Sequence, residues 1–347
     1  MRRLLGVVAS AVFVLVCSGA EAPAAGSDGV TPYLRPERLV DVGGHKINLY
    51  CTGHGSPAVI LDAGQGETTY TWRKVQPAIA KFTRVCSFDR AAMGFSEAGP
   101  LPRDANAMVG DMHALFRHAR IAPPYVLVGH SIAGLYALLY ADRYPRQVAG
   151  MVLVDPSFPN QNDTLYAASP SLKRMSAGSA TAYTFCYQAA LHGRLSLDHG
   201  AEEYALCGYP PDVAANVRAQ CAKGGPQCEM LHQTLSRALR PSFWAALGSE
   251  DKASDAADAA EDLKEQRSYG AMPLIVLTAA DELRGSPFPP AENRALQRAW
   301  TAGHERLARL STAGTHSVIQ DSGHFIQLDQ PAAVTAAVAG VVRAAKH

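Results

Sequence analysis

The stretch Gly129-His130-Ser131-Ile132-Ala133-Gly134 constrains this chain more than any other. Apolar residues Tyr125–Val128 lead into it, and a second apolar run, Ala133–Asp142, leaves it. The first run reads as a buried strand and the second as a helix. Together they predict a strand, a sharp turn and a helix in immediate succession. A serine at such a turn adopts strained backbone angles, and the residues two places either side must be small to avoid clashes. Gly129 and Ala133 fill those places. The turn lifts the Ser131 hydroxyl to the carboxyl edge of a sheet. It also aims the Ile132 N–H, at a helix N-terminus, toward the same point. The plainer alternative is a serine that merely caps a helix.

The rest of the chain supplies the sheet. Arg38–Val42 and Lys46–Cys51, separated by Gly43-Gly44, read as a hairpin. Short apolar strands follow at Ala58–Leu61, Arg84–Phe88, Tyr125–Val128, Gly150–Val154, Pro273–Thr278 and Ser317–Gln320. Helical periodicity falls between them at Val75–Lys81, Ala105–Arg120 and Ala133–Asp142, and closes the chain at Pro331–Ala345. This alternation predicts an α/β fold: a mainly parallel sheet covered by helices on both faces. It is interrupted over 157–270, where helical stretches such as Asp212–Lys223 and Glu229–Leu239 and an acidic, Ala-rich segment, Glu250–Glu265, replace strands. The expected organisation is a core of 37–156 and 271–347 with a helical cap inserted at 157–270.

Three further positions bear on Ser131. Leu61-Asp62-Ala63-Gly64-Gln65-Gly66 is a strand running into a glycine-rich turn, which can leave the Gln65 N–H free as a second donor for an oxyanion. Asp321-Ser322-Gly323-His324-Phe325 puts His324 in a loop at a strand end, where an imidazole can take a hydroxyl proton and return it to a leaving group. An acid must orient that imidazole, and two compete: Asp281, after Leu274–Thr278, and Asp155, after Met151–Val154. The order Ser131, Asp281, His324 favours Asp281, and Asp155 is the alternative.

In order along the chain, Val59-Ile60-Leu61-Asp62-Ala63-Gly64, Phe88-Asp89-Arg90-Ala91-Ala92-Met93-Gly94-Phe95-Ser96, Val128-Gly129-His130-Ser131, Met151-Val152-Leu153-Val154-Asp155 and Gly323-His324-Phe325 resemble the α/β-hydrolase superfamily, in its serine-nucleophile, esterase- and lipase-like branch. The resemblance implies a Ser-His-Asp triad working without metal or cofactor on a small acyl substrate, esters first. The chain departs from the family pattern at Ala133, at Ala63-Gly64 in place of a His-Gly pair, and at Ala92 in place of a glycine. A branch of the family carries its acid after the sixth strand, where Asp155 falls. Fold relatives that only bind ligands, or that use the triad as haloperoxidases or lyases, define the alternative functions.

Charge and cysteines place the chain. Net charge is +1 and the basic residues are scattered, so nothing favours nucleic acid or an anionic membrane. Arg2 and Arg3 precede an apolar segment, Leu4–Cys17, and then Ser18-Gly19-Ala20. These features predict a signal peptide over 1–20, a flexible lead-in over 21–36, and a secreted or periplasmic protein. The segment is short for a membrane span. Six cysteines remain, an even number that suggests disulfides, with Cys51 and Cys86 expected together and Cys186, Cys207, Cys221 and Cys228 pairing among themselves. No spacing suits a metal site.

Overall fold

The structure, a computed structural model, describes residues 29–195, 224–255 and 268–346, with Cys207, Val217, Ala219, Cys221 and Ala222. The expected signal peptide over 1–20 and much of the acidic Glu250–Glu265 segment lie outside the described residues.

Eight strands form one sheet: β1 (Arg38–Asp41), β2 (Lys46–Thr52), β3 (Ala58–Asp62), β4 (Val85–Phe88), β5 (Tyr125–His130), β6 (Val148–Val154), β7 (Leu274–Ala279) and β8 (Gly314–Ile319), in the order β1-β2-β4-β3-β5-β6-β7-β8. Only the hairpin end is antiparallel, through β1–β2 and β2–β4; every other pair is parallel. All residues of β3, β4 and β5 are buried, as a sheet covered on both faces requires.

Alternation along the strands sorts side chains to the two faces. Val59, Leu61, Val126, Val128, Val152 and Val154 pack with α1 (Gln76–Ile79) and the C-terminal helix. Ile60, Leu127, Met151, Leu153 and Val276 pack on the opposite face. There they meet α2 (Ala105–His118), begun by the Asp104 carboxylate accepting from the Ala107 N–H at 2.8 Å, and α3 (Ala133–Arg143).

Between β6 and β7 the chain forms α4 (Gln161–Ala168), α5 (Pro170–Ser176), α6 (Ser179–Leu191), α7 (Pro226–Ala238) and α8 (Pro241–Asp255). Phe158 and Leu165 still belong to the core cluster under the sheet. A separate cluster begins at α6, where Tyr183, Leu231, Leu235, Phe243, Trp244 and Leu247 close over Ala92 and Met93 of the core. Disulfides join Cys51 to Cys86, Cys186 to Cys207 and Cys221 to Cys228, in keeping with the expected grouping. No helix among the described residues is long and apolar enough to cross a membrane.

One element departs from the sequence reading. After β7 the chain forms α9 (Pro290–Ala308) before reaching β8, and its buried stripe is Leu296, Trp300, Gly303, His304 and Leu307. Charged residues crowd the other positions and hide the stripe, so this helix is not apparent from apolar periodicity. After β8 come a one-turn helix, α10 (Ile326–Asp329), and a longer one, α11 (Pro331–Ala344).

Candidate active site

The turn after β5 is built as its residues require. Ser131 has φ 56°, a left-handed value that costs an L-residue energy and needs support. Support comes from the backbone: Ser131 N–H donates to the Val154 carbonyl at 3.1 Å, and its own carbonyl accepts from Gly134 at 2.9 Å and Ser157 at 2.9 Å. A Cβ at Gly129 would stand 2.5 Å from the Ala133 carbonyl oxygen, and one at Gly134 would stand 2.5 Å from Pro156 Cβ. Glycine at both places is therefore a steric condition of the turn. Ala133 itself is fully buried, so alanine fits where glycine is commoner. Ser131 is half-buried, and its hydroxyl makes no hydrogen bond among the described residues.

Helix α3 begins at this turn with no capping side chain. Its first N–H groups are thus left to other acceptors. The Ile132 N–H engages no acceptor among the described residues, and neither does the Gln65 N–H. The loop carrying Gln65 is held from beneath. Arg90, 4% exposed, donates through Nη1 to Asp62 Oδ1 at 2.9 Å and to the Ala63 carbonyl, and through Nη2 to the Gly64 carbonyl at 2.6 Å. In a trans peptide C=O and N–H point opposite ways. Arg90 on the Gly64 carbonyl therefore turns the Gln65 N–H away from itself. Glu250 of α8 also reaches Arg90 Nη2, at 3.2 Å, and accepts from the Tyr136 hydroxyl at 2.7 Å.

His324 sits beside the turn. Its ring centroid is 4.6 Å from that of His130, the residue before Ser131. His130 Nε2 lies 3.0 Å from the His324 carbonyl, which can only accept, so Nε2 carries the proton. His130 Nδ1 faces Glu67 Oε1 at 3.0 Å. Burial alone would push the Glu67 carboxyl up, but His130 beside it holds it below the ordinary range. Glu67 and His130 thus tie the glycine-rich loop, the serine turn and the histidine loop together.

Of the two acids expected to orient His324, the structure brings Asp155, the alternative, to the imidazole. His324 Nδ1 lies 2.8 Å from Asp155 Oδ2. Asp155 is fully buried at the end of β6 with φ 43°, and its Oδ1 accepts from the Ala279 N–H at 2.9 Å and from Trp300 Nε1 at 3.1 Å. Burial would raise this carboxyl; hydrogen bonds with Glu282 and His324 overcome it and hold Asp155 well below the carboxylate range. Asp281, favoured from chain order, does not reach His324. Its side chain is 59% exposed and pairs with Arg284 Nε at 3.4 Å. The turn after β7 instead directs the next residue inward, and Glu282 Oε2 lies 3.1 Å from His324 Nδ1. Side chains diverge in this turn, so Glu282 faces the imidazole while Asp281 faces outward.

Four other contributors escaped sequence reasoning: Glu67, Glu250, Trp300 and His304. Trp300 and His304 sit on the unrecognised α9, four residues apart and so on one face. His304 Nε2 donates to the Pro156 carbonyl at 2.7 Å, and its Nδ1 meets the Thr278 hydroxyl at 2.6 Å. Burial pushes His304 down to about 4, so it is neutral near pH 7.

Residues 57–209 match the family model described as the alpha/beta hydrolase fold. The uncharacterized protein YbdG of Bacillus subtilis is 29% identical over 125 residues, 35% of this chain and 38% of that protein. The 2-hydroxymuconate semialdehyde hydrolase of Pseudomonas sp. CF600 is 33% identical over 154 residues, 42% of this chain and 54% of that enzyme. The matches thus span about half or less of these curated relatives. Among solved structures, a thermophilic esterase from Thermogutta terrifontis superposes with a TM-score of 0.56 at 20% identity, covering 88% of this chain and 97% of that one. The enol-lactonase from Burkholderia xenovorans LB400 superposes at 0.53 with 17% identity, covering 88% and 100%. Likeness at such identities is likeness of fold, and it extends over the sheet order and helical layers described above. With an eight-stranded, mostly parallel sheet and these matches, the chain has the α/β-hydrolase fold.

Proposed function

We propose that this protein is an exported serine hydrolase that cleaves carboxylic esters or related acyl bonds of small molecules. Ser131 attacks the carbonyl while His324 takes its proton through Nε2. Asp155 fixes the imidazole tautomer and compensates the imidazolium that forms. The N–H groups of Ile132 and Gln65 receive the developing oxyanion, each worth roughly 3–4 kcal/mol in comparable sites. An acyl-enzyme results, and water activated by His324 releases it. The helices that follow β6 roof the site and select the acyl or alcohol group. The reaction asks for neither metal nor cofactor.

The observation that carries this reading is the hydrogen bond from His324 Nδ1 to Asp155, made beside a serine whose backbone is held at φ 56°. That bond leaves Nε2 as the nitrogen available to a hydroxyl. Support also comes from the relatives whose names state hydrolysis, the semialdehyde hydrolase and the esterase. Three disulfides and the charged, then apolar, then small-residue N-terminus support export.

A fluorophosphonate probe and a panel of p-nitrophenyl acyl esters test the reading. The wild-type protein should be labelled on Ser131 and hydrolyse at least one ester, and Ser131→Ala should lose labelling and at least about a thousandfold of turnover. Equal hydrolysis by both proteins, or labelling elsewhere, would remove Ser131 from the chemistry.

A further inference from the structure

Two carboxyl groups, not one, face His324 Nδ1. Asp155 Oδ2 is 2.8 Å away and Glu282 Oε2 is 3.1 Å away, and the three atoms lie within 4.8 Å of one another. Nδ1 carries a single proton to share between them. Two carboxylates so close and so shielded cannot both ionise beside a neutral imidazole without a large cost.

The surroundings decide which one keeps a proton. Asp155 Oδ1 receives fixed N–H donors from Ala279 and Trp300, so its anion is solvated by the protein. The Glu282 side chain has no donor but His324 among the described residues. Of the two carboxyls Glu282 is therefore the one that takes the proton, and the imidazole competes for it: burial opposes its charge, but Glu282 and Asp155 hold it well above its ordinary range. Burial and the neighbouring Asp155 charge both hold the Glu282 carboxyl well above its ordinary range.

The other charged and titratable groups around the pair do not supply the missing charge. On α9, His304 Nδ1 is 3.9 Å from Asp155 Oδ1, but its Nε2–H is spent on Pro156 and it is neutral. Among the described residues, His316 on β8 hydrogen-bonds the Thr278 hydroxyl, at 2.7 Å, and feels the Glu305 charge. His130, before the serine turn, is matched by Glu67. In the turn after β7, Arg284 pairs outward with Asp281 and with Asp329 of α10, at 3.6 Å for the latter.

We propose that Glu282 is a positioning residue that holds one proton in common with Asp155 and His324, and so sets the pH at which His324 becomes a free base. The balance is simple. In one arrangement Asp155 is anionic, Glu282 carries the proton and His324 is neutral. Transfer of that proton from the Glu282 oxygen to the imidazole gives two carboxylates and an imidazolium, with no proton taken from solvent. Only the first arrangement leaves His324 able to accept a proton from Ser131. The geometric part stands without the acyl-transfer reading; only its kinetic readout rests on that reading.

Glu282→Gln keeps the size of a protonated carboxyl and can donate to Asp155 and accept from His324, but it cannot release a proton. The His324 imidazole, followed by NMR across pH, should titrate in one step in the variant, with its midpoint about one pH unit below that of wild type. The acidic limb of kcat/KM on an ester should move the same way. In the wild-type protein the Glu282 carboxyl resonance should respond in the same pH step as the imidazole, a measurement that needs no variant. Superimposable His324 titrations, or a Glu282 carboxyl titrating alone in the ordinary range, would overturn the proposal. A shifted imidazole in a protein that cleaves no ester would instead sink the proposed function and leave this inference standing.

Discussion

On one side of the Ser131 turn, Arg90 lies between Asp62 and Glu250; on the other, His324 lies between Asp155 and Glu282. Each cluster is two carboxyls around one cationic or potentially cationic group. They differ in what the central group can do. A guanidinium keeps its charge at every accessible pH, so Arg90 can only hold: it fixes the Ala63 and Gly64 carbonyls and fastens α8 to the loop beneath them. An imidazole can change charge, and His324 is 20% exposed at the side chain against 4% for Arg90. The same charge pattern thus makes a clamp on one flank and a proton relay on the other. Buried ionic clusters alone do not mark chemistry; a half-buried centre that can change charge does.

The relay flank should fail first and furthest. Asp155→Asn would leave His324 without its fixed anion, and kcat/KM should fall by roughly 10³ to 10⁴. Asp281→Asn, on an exposed side chain, should change it by less than about twofold. Steady-state kinetics on the same ester would reverse the acid assignment if the two effects were exchanged. The clamp flank should respond in stability. Arg90→Met strands two buried carboxylates, a loss of about 3–5 kcal/mol. Urea denaturation would measure it, and a loss below about 1 kcal/mol would mean the cluster is already neutralised by protons.

The two flanks were also unequally legible in the sequence. Sequence alone points to Ser131, His324, Gln65 and Ile132 as candidates because strand ends and small residues mark a backbone that must turn there. The sheet was legible for the same reason, since its apolar runs are short and bounded. Partners contributed by surface-charged helices were not. Trp300 and His304 lie on a helix whose exposed positions carry Arg294, Arg298, Glu305 and Arg306, which dilute its apolar stripe. Glu250 comes from a segment 160 positions beyond Arg90, a separation no local pattern spans. Asp281 and Glu282 are adjacent acids in one turn, and only three-dimensional placement says which faces inward.

The pH dependence of stability best separates clamp from relay. Burial outweighs the attraction of Arg90 and raises the Asp62 carboxyl to about 6 from an ordinary value of 3.8. The folded protein therefore binds a proton that the unfolded chain has released. Its contribution is fully present below the unfolded value and is lost as pH climbs from about 4 to about 6, amounting to roughly 3 kcal/mol at most. Asp155 and Glu67, both held below their ordinary range, act with the opposite sign, and Glu282, held above its own, with the same sign, so the raw stability curve mixes several groups. Subtracting the curve of Asp62→Asn isolates Asp62: between pH 4 and 7 the asparagine variant should gain on wild type by up to about 3 kcal/mol. The acidic limb of its kcat/KM should stay where it is in wild type, because Arg90 does not titrate. A limb that moved with Asp62 would make the Arg90 cluster part of the proton relay and erase the distinction between the two flanks.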